Sequence, residues 1–244
     1  MSKLPSSWAL PTTIKNRLGQ RRAGKQRAMV AAGHLLLVLH TAPQAQESER
    51  RAVFCWRSPS GHWQSSGGHY GLQPLIKHLQ AYSNAENALS DAYAQAQTAA
   101  DFFHLLETIV PLRRASENLY STLQAAREGI PDDPDLIDLR DWAYEINRSL
   151  ALLYESTNNA MNYSIARRAE EQTELSLAAL GASDRLNIIA ALFFPVTALA
   201  SIFGMNLISG WETVPGFAFW LVLILGIMLG IGVRHWVQKG GSKR

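Results

Sequence analysis

Six carboxylates fall within fourteen residues, Asp132, Asp133, Asp135, Asp138, Asp141 and Glu145, and together they are the chain's densest set of side chains able to hold a cation. The first three stand where the positive end of a helix dipole favours carboxylates, a role that needs no ligand. Asp138, Asp141 and Glu145 lie further in, at steps of three and four, and therefore share one helix face. Carboxylate and water ligation suits Mg²⁺, so this stripe, placed at a subunit interface, is a candidate regulatory cation site; a solvated helix face is the plainer alternative. A second set, Ser183, Leu186 or Asn187, Ala190, Phe194, Thr197 and Ser201, also follows helical steps, and it is small or polar except at Leu186 and Phe194. Neutral hydroxyl and amide groups in that pattern either line a water-filled path or let helices pack closely in lipid. The seven histidines show no pairing at ligand spacing, which argues against a dedicated zinc site. The single cysteine, Cys55, excludes an intramolecular disulfide framework and a Cys-rich metal site. No Walker loop, nucleophile elbow or Gly-rich dinucleotide fingerprint is present, so the chain carries no recognisable enzymatic constellation.

The segment holding the second set decides the broad class. No charged residue occurs between Arg185 and Glu212, and none between Glu212 and Arg234, in a chain of 244 residues. That pattern excludes a wholly soluble protein and places one span at about 186–203 and another at about 214–233, each near the ~20 residues needed to cross ~30 Å of hydrocarbon. The connection 204–213 is short and carries only Glu212. Arg167, Arg168 and Arg185 precede the first span, and Arg234, Lys239, Lys243 and Arg244 follow the second, so both termini are expected in the cytoplasm. Trp211 and Trp236 bracket the second span as interfacial aromatics do. The net charge of +3 divides into +7 over residues 1–46, −8 over 47–233 and +4 over 234–244. Residues 1–28, basic and without an acid, read as a disordered, solvated tail.

The run Met29 to Leu39 imitates the apolar core of a signal peptide, but it begins late, carries His34 in its middle and ends at His40. A strand over His34–His40 is the better reading, because strand-like runs follow at Arg51–Arg57 and His62–Ser65, joined at Ser58-Pro59-Ser60-Gly61. A small antiparallel sheet is expected. From Leu75 the period becomes helical: Leu75, Leu79, Tyr82, Leu89, Tyr93, Ala96, Ala100, Phe103 and Val110 fall on one stripe. That predicts one long helix, kinked or broken at Pro111, which resumes through Leu119 and Leu123 and stops at Gly129 and Pro131. Pro134 fixes the start of the next helix. There Leu136, Leu139, Ala143, Ile146, Leu150, Leu153, Thr157, Ala160 and Ser164 alternate steps of three and four, a coiled-coil pattern suited to holding copies together. With no proline before Pro195, the helix is expected over about 134–203, some 70 residues or roughly 105 Å. The fold class is thus an α+β membrane protein: a cytoplasmic domain over 29–180, a stalk helix continuous with the first of two C-terminal spans, and a basic cytoplasmic tail at 234–244.

The run from Phe194-Pro195-Val196-Thr197 to Phe203-Gly204-Met205-Asn206, closing the first of two final spans, resembles the signature of the CorA family of divalent-cation channels. In that family a proline-leucine-threonine element precedes a tyrosine-glycine-methionine-asparagine motif. The spacing here is the same, and the basic C-terminus and long approach helix match as well. Three positions depart from the pattern: Phe203 replaces the tyrosine, Ser201 stands where glycine is common, and Leu180 stands where an asparagine often marks the inner pore. The soluble part is also shorter than the family's usual domain.

The resemblance implies a homopentamer of the cell inner membrane in which the first span lines the pore and the second lies outside it. It makes Asn206 the ion-selecting residue at the external mouth, with Gly204 and Met205 shaping its loop. It also turns Thr197 to the pore, and Ser183, Leu186, Asn187, Ala190, Phe194 and Ser201 with it; Leu186 and Phe194 would be hydrophobic constrictions. Mg²⁺ gives up its water reluctantly, so a ring of neutral amide oxygens bonding to the water shell suits its passage. The expected function is a non-enzymatic channel that moves a hydrated divalent cation, Mg²⁺ foremost, down its electrochemical gradient. The partners are copies of itself and the bilayer, with no nucleic acid and no small-molecule substrate beyond cations. No resident cofactor is expected; the cation is cargo and possible regulator. Two alternatives stay open: the same architecture serving Zn²⁺, Co²⁺ or Ni²⁺, and a membrane-anchored coiled-coil scaffold without a pore.

Overall fold

The computed structural model describes residues 4–19, 24–43, 51–204 and 217–241. They form α1 (Thr12–Lys15), β1 (Arg27–Ala31), β2 (His34–His40), β3 (Ala52–Arg57), β4 (Trp63–Ser65), α2 (Gln73–Gln95), α3 (Ala99–Gly129), α4 (Pro134–Gly204) and α5 (Phe217–Gly241). The chain divides into two units, residues 1–166 and 167–244.

In the first unit the strands pair in the order β1-β2-β3-β4, each antiparallel to the next. Side chains alternate between the two faces. Leu35, Leu37, Leu39, Cys55 and Trp63 join the core shared with the helices, while Met29, Leu36, Val38, Phe54 and Trp56 form a second cluster on the opposite face. β2 is therefore buried on both sides, which is why it reads as a continuous apolar run instead of alternating. β1 was not expected as a separate strand. The apolar run Met29–Leu39 is a hairpin, turned at Ala32 and Gly33 with φ of 49° and 75°, a two-residue loop of the type that matches strand twist.

The second cluster also corrects the expectation of a disordered tail over residues 1–28. Trp8, Leu10 and Ile14 are buried there against the sheet, with the Trp8 ring 5.7 Å from that of Trp56. Arg27 and Ala28 belong to β1. Three large apolar side chains supply what the basic residues conceal: each is worth about 1.5–3 kcal/mol when fully buried, enough to hold the arm across a face that would otherwise be wet.

The helix expected to break at Pro111 breaks instead at 96–98. Thr98 caps α3, its hydroxyl accepting the Asp101 N–H at 3.2 Å while the Asp101 carboxylate accepts the Thr98 N–H at 2.8 Å. These bonds hold the Asp101 carboxyl below its ordinary range, with the Thr98 hydroxyl the first cause. A capping box starts a helix more decisively than one proline ends it, and α3 runs through Pro111. The break also resets the helical phase. Phe102, Leu105, Ile109 and Leu112 face the core, and Phe103 of the expected stripe is half exposed.

α4 begins where expected, at Pro134. Asp133 accepts the Leu136 N–H at 3.2 Å and pairs with Arg57 of β3, so this carboxylate both caps the helix and ties it to the sheet. The stripe Leu136, Leu139, Ala143, Ile146, Leu150 and Leu153 is buried within the same core as α2, α3 and the sheet. Around it the Tyr120 and Tyr144 rings meet at 5.5 Å, Arg113 lies 4.8 Å over Tyr154, and the Ser149 hydroxyl donates to Glu86 at 2.6 Å. The three-four alternation of this stripe is thus used inside one chain, which corrects its assignment to the interface between copies: α2 and α3 supply the partner surface.

In the second unit α4 ends at Gly204 and α5 covers Phe217–Gly241. α4 is long and apolar enough to cross a membrane, and within α5 the apolar stretch Leu223–Gly232 is shorter. Phe193, Phe194, Ile202, Trp220, Leu221, Ile224, Met228 and Ile231 are all exposed. The expected basic tail 234–244 is helical as far as Gly241.

Candidate functional site

α4 carries both sets of candidate residues. Within its first unit, Asp138, Asp141 and Glu145 lie on the exposed face opposite the buried stripe. Asp141 pairs with Arg140 at 2.9 Å. Among the described residues no three His, Cys, Asp or Glu side chains approach closely enough to hold a metal ion, so any cation on this stripe needs further ligands from outside the single chain.

Within the second unit, Ser183, Leu186, Asn187, Phe194, Thr197 and Ser201 are exposed and Ala190 is half-buried. Of the partly covered residues in this part of α4, Ile188, Ala191 and Pro195 lie together on a different side, Val196 lies on neither, and Ala190 lies on the stripe itself. At about 100° per residue the two sets are separated by roughly a third of a turn. The contact with α5 falls on the covered side, where a methyl added to Gly230 would meet the Ala191 carbonyl oxygen at 3.1 Å and Leu192 Cα at 3.2 Å. Ala191 and Gly230 stand equally far from the connection between the helices, as in a helical hairpin. The polar stripe of α4 is therefore left open by the chain's own second helix. Its hydroxyls are also partly occupied, since Thr197 Oγ1 donates to the Phe193 carbonyl at 2.7 Å and keeps its lone pairs as acceptors. Gly204 is the last residue of α4; Met205 and Asn206 lie outside the described residues.

Two features escape a reading of the sequence by chemistry-bearing residues. One is Gly226 and Gly230, both buried in an otherwise exposed apolar helix; their four-residue spacing is the signal that would have found them. The other is the ion pair of Arg57 with Asp133, which no local pattern encodes. Of the remaining titratable groups, burial lowers the pKa of His78 to about 4, so its imidazole is neutral near pH 7, and raises that of Cys55 to about 12, so this thiol supplies no thiolate there.

A family model described as CorA-like Mg²⁺ transporter protein matches residues 75–239. No curated protein matches the chain. Among solved structures, the full-length CmaX protein is similar over 96% of this chain and 82% of its own, at 17% identity and a TM-score of 0.51. The CorA magnesium transporter from Methanocaldococcus jannaschii is matched over 86% of this chain and 78% of its own, at 15% identity and a TM-score of 0.43. At such identity the CmaX likeness concerns the fold alone.

Proposed function

The chain belongs to the CorA-like Mg²⁺ transporter family, and from that premise we propose that several copies, five by the family resemblance, surround a pore that passes hydrated Mg²⁺ inward. α4 lines the pore and α5 crosses the membrane outside it. Both termini are cytoplasmic in a cell inner membrane, and the Gly204-Met205-Asn206 loop rings the external mouth. The observation that carries the reading is the stripe from Ser183 to Ser201, neutral, mostly small or polar, and left open by α5. Such groups also let helices pack closely in lipid, but α5 does not use this face, and a ring of such faces would enclose a wet path.

Neutral oxygens are the right chemistry for this cargo. A full carboxylate ring would hold a divalent ion too long, whereas Asn206 amide oxygens bond to its water shell and release it. The membrane potential suffices as a drive, since ~2.3 kcal/mol per charge per 100 mV gives roughly 4.6 kcal/mol for a divalent ion. No nucleotide or resident cofactor takes part, and no covalent chemistry is catalysed. The exposed acids Asp138, Asp141 and Glu145 serve as a regulatory cation site once a neighbouring copy completes them.

Flux into liposomes containing the purified full chain tests the reading, with Mg²⁺, Zn²⁺, Co²⁺ and Ni²⁺ compared under an imposed potential. Mg²⁺ entry is expected. Entry of only a transition metal would reassign the cargo, and no entry under any gradient would leave a membrane-anchored scaffold.

A further inference from the structure

Pro195 has no N–H, so the carbonyl of Ala191, four residues earlier, lacks the helix bond that every neighbouring carbonyl can receive. That missing bond is a weak point in a helix otherwise continuous from Pro134 to Gly204. Gly230 of α5 lies against this turn: a methyl there would come to 3.1 Å from the Ala191 oxygen, 3.2 Å from Leu192 Cα and 3.4 Å from Leu192 Cδ1. Two of those three neighbours are backbone and cannot rotate away. Gly232, two residues on, would meet nothing within 4 Å. Of these two glycines the close approach thus belongs to Gly230, at the turn that the proline has loosened, and small residues allow such backbone contact between helices in lipid.

We propose that Gly230 is a positioning residue for the cation path. By seating α5 directly on the Ala191 carbonyl, it forms the fulcrum about which the outer part of α4, carrying Thr197, Ser201 and the approach to Asn206, is set relative to the inner part. The inference rests on the proposed transport function and specifies which contact fixes the mouth of the pore. A helix lacking one internal hydrogen bond bends most readily at that turn, and backbone seated against backbone allows fewer arrangements there than flexible side chains would. A methyl at position 230 pushes α5 off the turn and shifts the mouth without touching any residue of the polar stripe.

The test uses the full chain in liposomes, comparing the unmodified protein with Gly230→Ala, Gly232→Ala, Pro195→Ala and the Gly230→Ala/Pro195→Ala pair. Both glycine changes raise intrinsic helix propensity equally, so a purely structural role predicts the same result for each. Expected instead is a roughly tenfold fall in maximal Mg²⁺ flux for Gly230→Ala alone, the scale one overpacked methyl can impose on a two-state balance. The Mg²⁺ concentration for half-maximal flux and the amount of assembled protein should not change. Pro195→Ala returns an N–H to the Ala191 carbonyl, so its effect and that of Gly230→Ala should not add. Equal flux from Gly230→Ala and Gly232→Ala, or a loss that merely follows the amount assembled, overturns the proposal while the transport function stands. Absence of flux from the unmodified chain overturns the transport function and this inference with it.

Discussion

An amide at position 206 would offer the water shell of a cation a neutral acceptor, the role that the family resemblance assigns to Asn206. Asn206→Ala removes one acceptor per copy and leaves the helices untouched, so Mg²⁺ flux into liposomes should fall about tenfold or more while the assembled mass stays the same. Asn206→Asp should instead bind the ion more tightly and discriminate less, because a ring of like charges raises some carboxyl pKa values and the remaining anions hold a divalent ion. Normal flux from Asn206→Ala would remove the role carried over from the family. His78 makes a prediction of another kind. It is buried between the His40 backbone and the Tyr82 ring, 5.5 Å from the latter, and desolvation, with a smaller repulsion from His40, lowers its pKa from 6.5 to about 4. A base whose pKa is lowered by folding leaves the unfolded chain the better proton acceptor. Stability is therefore unaffected above pH 6.5 and falls as the pH drops from 6.5 to 4, by roughly 3 kcal/mol at 1.36 kcal/mol per unit. His78→Gln should flatten that part of the profile, measured as the unfolding midpoint by tryptophan fluorescence between pH 7 and 4. An unchanged slope would assign the acid sensitivity to other groups.

At the scale of elements, three strands and the start of α4 are legible because their signals are local: short apolar runs of strand length, a Ser-Pro-Ser-Gly turn, and Pro134 behind a run of acids. β1 is not legible, since Met29–Leu39 is apolar except for His34 and the hairpin turn at Ala32-Gly33 holds no polar residue of its own. The break at 96–98 is hidden for the opposite reason: Pro111 is the louder breaker, yet the reciprocal bonds of Thr98 and Asp101 decide where α3 begins. The stripe Leu136–Leu153 shows the limit of periodicity. Steps of three and four report that a face is buried but not by what, and here α2 and α3 cover it. The candidate site is legible mainly through its family resemblance, because the residues themselves are neutral and common; the contact at Gly230 needs α4 in place before it means anything. The outward face of α4 carries the remaining expectation at this scale. Asp138, Asp141 and Glu145 repel one another at helical spacing, and a bound cation relieves that repulsion only in the arrangement that brings further ligands to it. Replacing them with Asn, Asn and Gln should keep Mg²⁺ flux high when internal Mg²⁺ is raised, while flux through the unmodified chain falls. Equal inhibition in both would make the stripe a solvated face.

For the whole molecule, the distribution of charge predicts the orientation in the membrane. Seven basic residues flank the apolar region, Arg167, Arg168 and Arg185 before it and Arg234, Lys239, Lys243 and Arg244 after it, while the connection holds only Glu212. Translocating either flank would move several cations outward, whereas translocating the connection moves one acid; the positive-inside bias therefore predicts both ends in the cytoplasm and residues 204–213 outside. The chain is well suited to a test by cysteine labelling. Its one native cysteine, Cys55, is buried in β3 among the core of the sheet, and burial raises its pKa to about 12. Maleimides react with thiolates, which Cys55 does not supply near pH 7, so the unmodified chain provides a silent background. A cysteine placed at Ser209 should be labelled by a membrane-impermeant maleimide in intact cells, and one placed at Ser242 only after the membrane is opened. Labelling of Ser242→Cys from outside would put the termini on opposite faces or reverse the molecule. Reversal would also carry the Asn206 loop to the cytoplasmic side, where it could not serve as the external mouth.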